Sequence, residues 1–330
     1  MKEISWGILG TAEIAEEQVI PAIQKSANGK VAAIASRNPA RKATKLAEQF
    51  DIPTIYSSYE ELLADETIDA VYVPLPNELH AEWTKKAAAY GKNVLCEKPA
   101  GLTASQVKEM VATCKSENII FMESMMYQFH PQHKRVKEII VEGAIGEVKQ
   151  MRASFTFPLK KTGDFRLKTQ ANGGGSIFDI GCYTIHAIRS ILGEPTEVLF
   201  VDETLTEDGK TDIAAIGVFV HENGEKSYFD CGMNMSTRNE YEIVGTKGTI
   251  RVPKAFIPQA DGEGIIELIP NDGPIKREQV IADYYVEGVE FFARHIIGGK
   301  DLTLLAEDTL NNVKAMDAVH SWKKETQTIR

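Results

Sequence analysis

The sequence predicts a two-domain α/β protein, with an N-terminal parallel sheet wound with helices followed by a β-rich second domain. Three observations predict it. The chain has 330 residues, more than a single hydrophobic core usually organises. Its first 123 residues alternate short apolar runs with longer amphipathic stretches, the rhythm of βαβ units. After about Ser124 that rhythm gives way to successive β-like runs divided by turn signals. The expected domains are therefore residues 1–123 and 124–330.

In the first domain the strand candidates are 4–9, 31–36, 70–75, 93–96 and 119–122. Residues 13–24, 39–49, 59–63, 78–90 and 104–117 carry apolar side chains at helical spacing. Asn38-Pro39 reads as an N-cap followed by an N1 proline, and Thr103 and Asn77 read as N-caps of the helices that follow them. The second domain is expected to open with a helix at 133–142 and a strand at 147–157. A glycine-rich turn then leads into a helix at about 176–192. Strands follow at 197–205, 212–221, 226–235, 240–244 and 249–252, with Glu207-Asp208-Gly209 and Glu222-Asn223-Gly224 as turns. Helices at 284–297 and 305–323 end the series. In the run 213–220 both strand faces are apolar, unlike a sheet with one wet face. Its outer face needs cover, either from the same chain or from a second subunit.

Composition limits the function. Hydrophobic residues at 43% and charged residues at 25% are globular values. A net charge of −10 opposes binding to nucleic acid or an anionic membrane and favours a small-molecule partner. Cys96, Cys114, Cys182 and Cys231 are widely spaced without a C-x-x-C pair, so neither a disulfide framework nor a metal site is expected. The opening MKEISWGILG has no apolar stretch of signal-peptide length, and no run reaches the ~18 residues of a membrane span. A cytoplasmic location is the expectation.

The first strand runs into Gly10-Thr11-Ala12-Glu13-Ile14-Ala15 and then a helix, where a dinucleotide fold seats its pyrophosphate on helix N–H groups. Ala12 and Ala15 replace two glycines of G-x-G-x-x-G, so the motif alone is weak and its position carries the reading. At the end of the second strand stands Ala35-Ser36-Arg37-Asn38. No carboxylate is there to repel a 2′-phosphate, and Ser36 and Arg37 are suited to bind one. NADP is therefore expected, with NAD possible; the alternative is that Arg37 is only a solvated loop residue.

The fifth strand ends in Cys96-Glu97-Lys98-Pro99, and strand ends at the carboxyl edge of a parallel sheet are where ligands lie. The segment Gly173-Gly174-Gly175-Ser176-Ile177-Phe178-Asp179-Ile180-Gly181-Cys182-Tyr183 places an Asp and a Tyr at i and i+4, which share a face on an α-helix. Asp179 sits among apolar neighbours, where a carboxylate calls for a cation. Lys98 is a candidate for that cation.

These segments, with Trp6-Gly7-Ile8-Leu9-Gly10-Thr11 and Pro76-Asn77-Glu78-Leu79-His80, resemble the Gfo/Idh/MocA oxidoreductases over nearly the whole chain. Tyr183, where inositol dehydrogenase-like members carry His, and Met126-Tyr127-Gln128-Phe129-His130-Pro131 make the chain similar to the branch of glucose-fructose oxidoreductase, NADP-linked D-xylose dehydrogenase and dimeric dihydrodiol dehydrogenases. The resemblance implies a Rossmann domain plus an α+β domain with an open, mostly antiparallel sheet through which a homodimer or higher homo-oligomer forms.

It also implies roles. Lys98, Tyr183 and the companion acid Asp179 are catalytic. Gly10, Thr11, Ala12, Ile14, Ser36, Arg37, Pro76, Asn77, His80, Glu97 and Lys98 meet the cofactor. Tyr127, Phe129, His130, Phe165, Arg166, Asp179 and Tyr183 meet a hydroxylated substrate such as a sugar, polyol or dihydrodiol. For His80 a capping or packing role stands equally, and for His186 core packing is preferred. The implied reaction is hydride transfer between a nicotinamide and a hydroxyl or carbonyl carbon, with Tyr183 moving the proton. A tyrosine of pKa ~10 needs nearby positive charge to do so near neutrality. The alternatives are a cofactor-binding regulator that does not turn over and an NAD-linked inositol-type dehydrogenase.

Overall fold

The computed structural model describes residues 3–38, 42–160, 163–257, 262–299 and 302–327, and the chain packs as two units. In the first lie β1 (Ile4–Leu9), β2 (Gly29–Ala35), β3 (Thr54–Tyr56), β4 (Ala70–Val73), β5 (Asn93–Cys96) and β6 (Phe121–Glu123). They form one parallel sheet in the order β3-β2-β1-β4-β5-β6. The crossovers carry α1 (Ile20–Lys25), α2 (Thr44–Gln49), α3 (Tyr59–Ala64), α4 (His80–Ala89) and α5 (Ala104–Ser116). This is a doubly wound Rossmann sheet, whose strand order reverses between β1 and β4, the place where such sheets bind ligands. Burial explains the apolar runs: every residue of β4 is buried, as expected when helices cover both faces.

Local chemistry sets several boundaries. Thr103 caps α5 by accepting the Gln106 N–H, as expected, and Ser58 caps α3 through Glu61 N–H. The first helix begins with a π turn at Ala15–Val19, just ahead of Pro21, whose ring has no N–H to give an α-helix. Asn77 does not cap α4. It opens a 3₁₀ turn, Asn77–Leu79, that runs directly into α4, and the N-cap position is Leu79 with no side-chain cap. Pro39, expected at a helix start, lies outside the described residues. β3 was not anticipated, because three half-exposed residues carry no periodicity.

The second unit is built from α6 (Pro131–Val141), β7 (Val148–Pro158), α7 (Cys182–Leu192), β8 (Pro195–Leu205), β9 (Asp212–His221), β10 (Lys226–Gly232), β11 (Asn234–Gly245), β12 (Gly248–Val252), β13 (Glu263–Pro270) and β14 (Lys276–Ile281). Its eight strands make one sheet in the order β14-β13-β12-β11-β7-β10-β9-β8, antiparallel except for β10 beside β7. The turns at Gly209 and Gly224 have φ of 71° and 83°, the left-handed conformation glycine allows. One face of β9, with Ala215, Gly217 and Phe219, is buried. On the other, Ile216 is 48% exposed and Val218 and Val220 are half-buried. Among the described residues, the second apolar face of this strand is therefore only partly covered.

The chain then continues into α8 (Tyr284–Gly298) and α9 (Thr303–Gln327). Residues Asp283–Leu310 belong to the first unit, not to the domain expected to hold everything after residue 123. The reason is packing. Phe292 lies with its ring 5.5 Å from that of Trp6, and Ala27 N–H and the Asn28 amide both bond Glu290.

Candidate active site

In the first unit the expected cofactor residues cluster at the carboxyl ends of β1, β2, β4 and β5. Gly10 has φ of 107°, and a Cβ there would stand 3.2 Å from Leu75 Cδ2. Only glycine gives the backbone this turn. Thr11, Ala12 and Ile14 follow, each half-exposed, at the helix start where backbone N–H groups lack helical acceptors. Past β2, Ser36 is half-buried and Arg37 exposed. Ser36 Oγ accepts the Asn38 N–H, and Arg37 is hydrogen-bonded to Tyr59, whose hydroxyl lies 3.5 Å from where a Cβ on Gly10 would be. A turn open to backbone approach, beside a hydroxyl and a guanidinium with no carboxylate, fits a dinucleotide bearing a 2′-phosphate.

Beyond β5 the chain is enclosed on both sides of one residue. From residue 94 to residue 101 only Lys98 is not buried. Tyr72, deep in β4, donates its hydroxyl to Glu97 Oε1 at 2.6 Å; burial and the adjoining Glu97 charge push its phenol well above the usual range, so it stays a donor. Lys98 N–H reaches Glu97 Oε2 at 3.3 Å. Pro76 is exposed, while Asn77 and His80 are buried.

In the second unit, Asp179 lies on a π turn, Ile177–Gly181, that runs into α7. The shared face argued for Asp179 and Tyr183 from i, i+4 spacing assumed α geometry and applies only through this wider turn. Asp179 is 6% exposed and accepts Arg166 Nε at 2.6 Å. Arg166 also bonds Asp164 and lies 4.5 Å over the Phe165 ring. Burial alone would lower the guanidinium pKa, but Asp179 and Asp164 outweigh it and hold the group charged. Hence Asp179 has a cation inside its own unit, a partner the sequence reading did not assign.

The glycine-rich segment makes this pairing possible. A Cβ on Gly174 would fall 1.8 Å from Lys168 O, and one on Gly175 2.1 Å from Asp212 Oδ1. Gly175 N–H donates to Arg166 O at 2.9 Å. Asp212 holds the helix start through Ser176 Oγ at 2.7 Å and Ile177 N–H at 2.8 Å. These glycines serve close packing rather than a phosphate.

Between residues 173 and 189, Tyr183 alone is not buried. Its ring is set among Phe155, Tyr127 and Phe256, with centroids 5.4, 5.8 and 5.9 Å away. Behind it Tyr127, 2% exposed, has its hydroxyl 2.6 Å from His186 Nδ1. A phenol presented from an aromatic bed can exchange a proton with a bound hydroxyl or carbonyl oxygen.

Two family profiles match this chain: an oxidoreductase family with an NAD-binding Rossmann fold over residues 4–125, and the GFO/IDH/MocA C-terminal domain over residues 133–251. The chain belongs to the Gfo/Idh/MocA oxidoreductase family. It is 36% identical over 317 residues to the D-xylose 1-dehydrogenase (NADP(+)) 2 of Haloferax volcanii, covering 96% of each chain. To a dTDP-3,4-didehydro-2,6-dideoxy-alpha-D-glucose 3-reductase of Actinomadura kijaniata it is 32% identical, covering 97% of this chain and 95% of the relative. Among solved structures, a 3-ketoreductase from Actinomadura kijaniata with NADP and TDP-benzene superposes with a TM-score of 0.91 at 31% identity, over 97% of this chain and 98% of the other.

The remaining site residues of this Gfo/Idh/MocA enzyme differ in setting. Phe165 is 44% exposed, and Phe129 is half-buried. His130 is fully buried; its Nδ1 accepts Gln132 N–H as the cap of α6, and its Nε2 bonds Gly262 O. Both ring nitrogens are committed within the unit, which gives this residue a capping role in place of an open wall. Tyr127 is equally enclosed. Sequence reasoning missed Tyr59 and Tyr72, which touch Arg37 and Glu97, and Glu123 and Asp212, which hold the segments that carry Lys98 and Asp179. Only the folded sheet brings them together, and no spacing signal announces them. Among the described residues no helix is long and apolar enough to cross a membrane.

Proposed function

We propose that this enzyme is an NADP-linked dehydrogenase or reductase of a sugar or related polyol, with Tyr183 as proton-transfer group and with Lys98 and Asp179 as further catalytic residues. One observation carries the reading: Lys98 and Tyr183 are each the single residue left partly exposed in an otherwise buried segment, 94–101 and 173–189. A phenol and an ammonium can serve acid–base chemistry at a hydroxyl carbon. Relatives named for D-xylose and for a dTDP-ketosugar support a hydroxylated substrate.

When bound, the nicotinamide supplies the hydride chemistry. Tyr183 takes the hydroxyl proton in oxidation and returns it to the carbonyl oxygen in reduction. Lys98 supplies positive charge, which proton transfer by a phenol near neutrality calls for. Arg37 and Ser36 bind the 2′-phosphate, the turn at Gly10–Ala12 the pyrophosphate. Phe165 and Phe129 offer apolar walls, and Arg166 serves the substrate side by fixing Asp179.

We further propose that the enzyme forms a homodimer across the open face of the eight-stranded sheet and works in the cytoplasm. Along one row of that face Phe200 pairs with Val218, Val218 with Tyr228, Tyr228 with Arg152 and Arg152 with Glu242. Phe200 and Tyr228 are 43% and 38% exposed. Apolar residues flanked by both charge signs suit a second copy of the same surface. All four cysteines are buried and none is in a disulfide, consistent with a reducing compartment.

The test is a panel of aldoses, inososes, dihydrodiols and dicarbonyls assayed by NADPH absorbance in both directions. Turnover with a hydroxylated substrate, faster with NADP than NAD, is expected. Tight NADPH binding without turnover on any member would instead identify a cofactor-sensing regulator.

A further inference from the structure

We propose that His80 is a positioning residue for Lys98, acting by tying the Lys98-Pro99 segment to the loop that follows β4. The inference rests on the reading of Lys98 as catalytic. His80 is the first residue of α4 and is fully buried. Its Nδ1 lies 2.8 Å from Pro99 O and its Nε2 2.7 Å from Leu75 O. Leu75 follows β4 and Pro99 follows β5, so one ring lies within hydrogen-bond distance of two neighbouring loops at the carboxyl edge of the sheet.

The other groups around Lys98 act in the same sense. Glu97 is gripped by Tyr72, and Ala100 N–H donates to the buried Glu123 carboxylate at 2.7 Å. Residues 97, 99 and 100 are each held by a side chain from another element, and Lys98 between them is the one residue of the four that is not buried. Of these ties only His80 restrains the carbonyl side of the residue next to Lys98. Its ring is enclosed and both nitrogens face protein carbonyls, which leaves no nitrogen to meet a cofactor.

The hydrogen count makes the proposal sharp. A carbonyl accepts only, and a neutral imidazole has one N–H for two carbonyls; burial drives the ring toward that neutral form. The contact taken to position Lys98 is that of Nδ1 with Pro99 O, which in the neutral ring requires the hydrogen on Nδ1. An Asn amide nitrogen stands the same number of bonds from Cα as Nδ1, and a Gln amide nitrogen the same number as Nε2. Asn can therefore keep the Pro99 bond, while Gln keeps the Leu75 bond.

The experiment compares His80→Leu, His80→Asn, His80→Gln and Lys98→Met in the full chain. It measures kcat with the best substrate of the panel, KM for NADP, NADPH affinity by fluorescence titration, and melting temperature. Misplacement of a catalytic group by an ångström costs up to about a hundredfold. His80→Leu and His80→Gln should accordingly lose roughly 10- to 100-fold in kcat with NADPH affinity little changed, and His80→Asn should recover most of it. If His80→Leu does not fold, the Asn and Gln pair decides alone. Equal losses in Asn and Gln, unchanged kcat in both, or a loss confined to NADPH affinity would overturn the positioning role while Lys98→Met remains inactive. Full turnover by Lys98→Met would overturn the reading of Lys98 itself, and His80 with it.

Discussion

Arg166 donates its Nε–H to Asp179 Oδ2 at 2.6 Å, and this pair fastens the loop ahead of the glycine-rich turn to the helical segment that presents Tyr183. Asp179 is 6% exposed, so removing the guanidinium strands a carboxylate in a poorly solvated site. Arg166→Ala should cost about 2–3 kcal/mol, read from urea unfolding. Combined with Asp179→Asn it should cost less than the two single changes added. Additive losses would show that the two side chains do not depend on each other.

Arg37 is exposed and anchored by Tyr59. A charge-assisted hydrogen bond contributes ~1.5–3 kcal/mol, and ~1.4 kcal/mol is tenfold in affinity. Arg37→Ala should raise KM for NADP by about 10- to 100-fold and hardly alter that for NAD. Steady-state kinetics with each cofactor measures this; equal effects on both would remove Arg37 from the 2′-phosphate site.

Glu123 is 4% exposed, and burial, only partly offset by the Ala100 N–H, raises its carboxyl from 4.5 to about 7. A raised carboxyl binds its proton more tightly in the folded state. Its contribution to stability is full below about pH 4.5 and is lost as pH rises toward 7, a change of about 3 kcal/mol at ~1.4 kcal/mol per pH unit. Glu123→Gln is neutral throughout. Its stability relative to the parent should therefore improve across that window in melts taken from acid to mildly alkaline pH. Parallel curves for the two proteins would contradict the assignment.

Gly175 combines a φ of 115° with a Cβ position 2.1 Å from Asp212 Oδ1. Gly175→Ala should destabilise the protein by more than about 2 kcal/mol and depress turnover, because the start of the segment bearing Asp179 and Tyr183 must shift. Gly209→Ala is the control. It has φ of 71° with nothing within 4 Å of a Cβ, so only the left-handed backbone strain of about 1 kcal/mol applies, and melting temperatures should separate the two.

The parts of this fold that the sequence announces are those whose burial is periodic. β1, β5 and β9 have the predicted bounds because buried and exposed positions there follow the strand period or fill it completely. β14, Lys276–Ile281, is exposed or half-exposed throughout, so no hydrophobic pattern marks it. β11 runs from Asn234, well ahead of the expected 240, because its first residues are exposed and, apart from Met235, polar. The site shows the same division. Lys98, Asp179 and Tyr183 stand out by motif, and the glycines by their run. The contacts that hold them span long separations: Asp212 on Ser176, Tyr72 on Glu97, His80 on Pro99. Those depend on strand order, which spacing along the chain does not encode. Residues Asp283–Leu310 joined the first unit for a similar reason, since a helix pattern states that a face is apolar but not which core receives it.

Lys98 is proposed to act in the chemical step. Its most direct test is turnover by Lys98→Met measured beside NADPH fluorescence titration of the same protein. The expected result is a kcat reduced by about a thousandfold or more, the scale of a lost acid–base or charge-stabilising group, with NADPH affinity nearly that of the parent. A fall in NADPH affinity large enough to explain the lost rate, or a kcat close to the parent's, would contradict it.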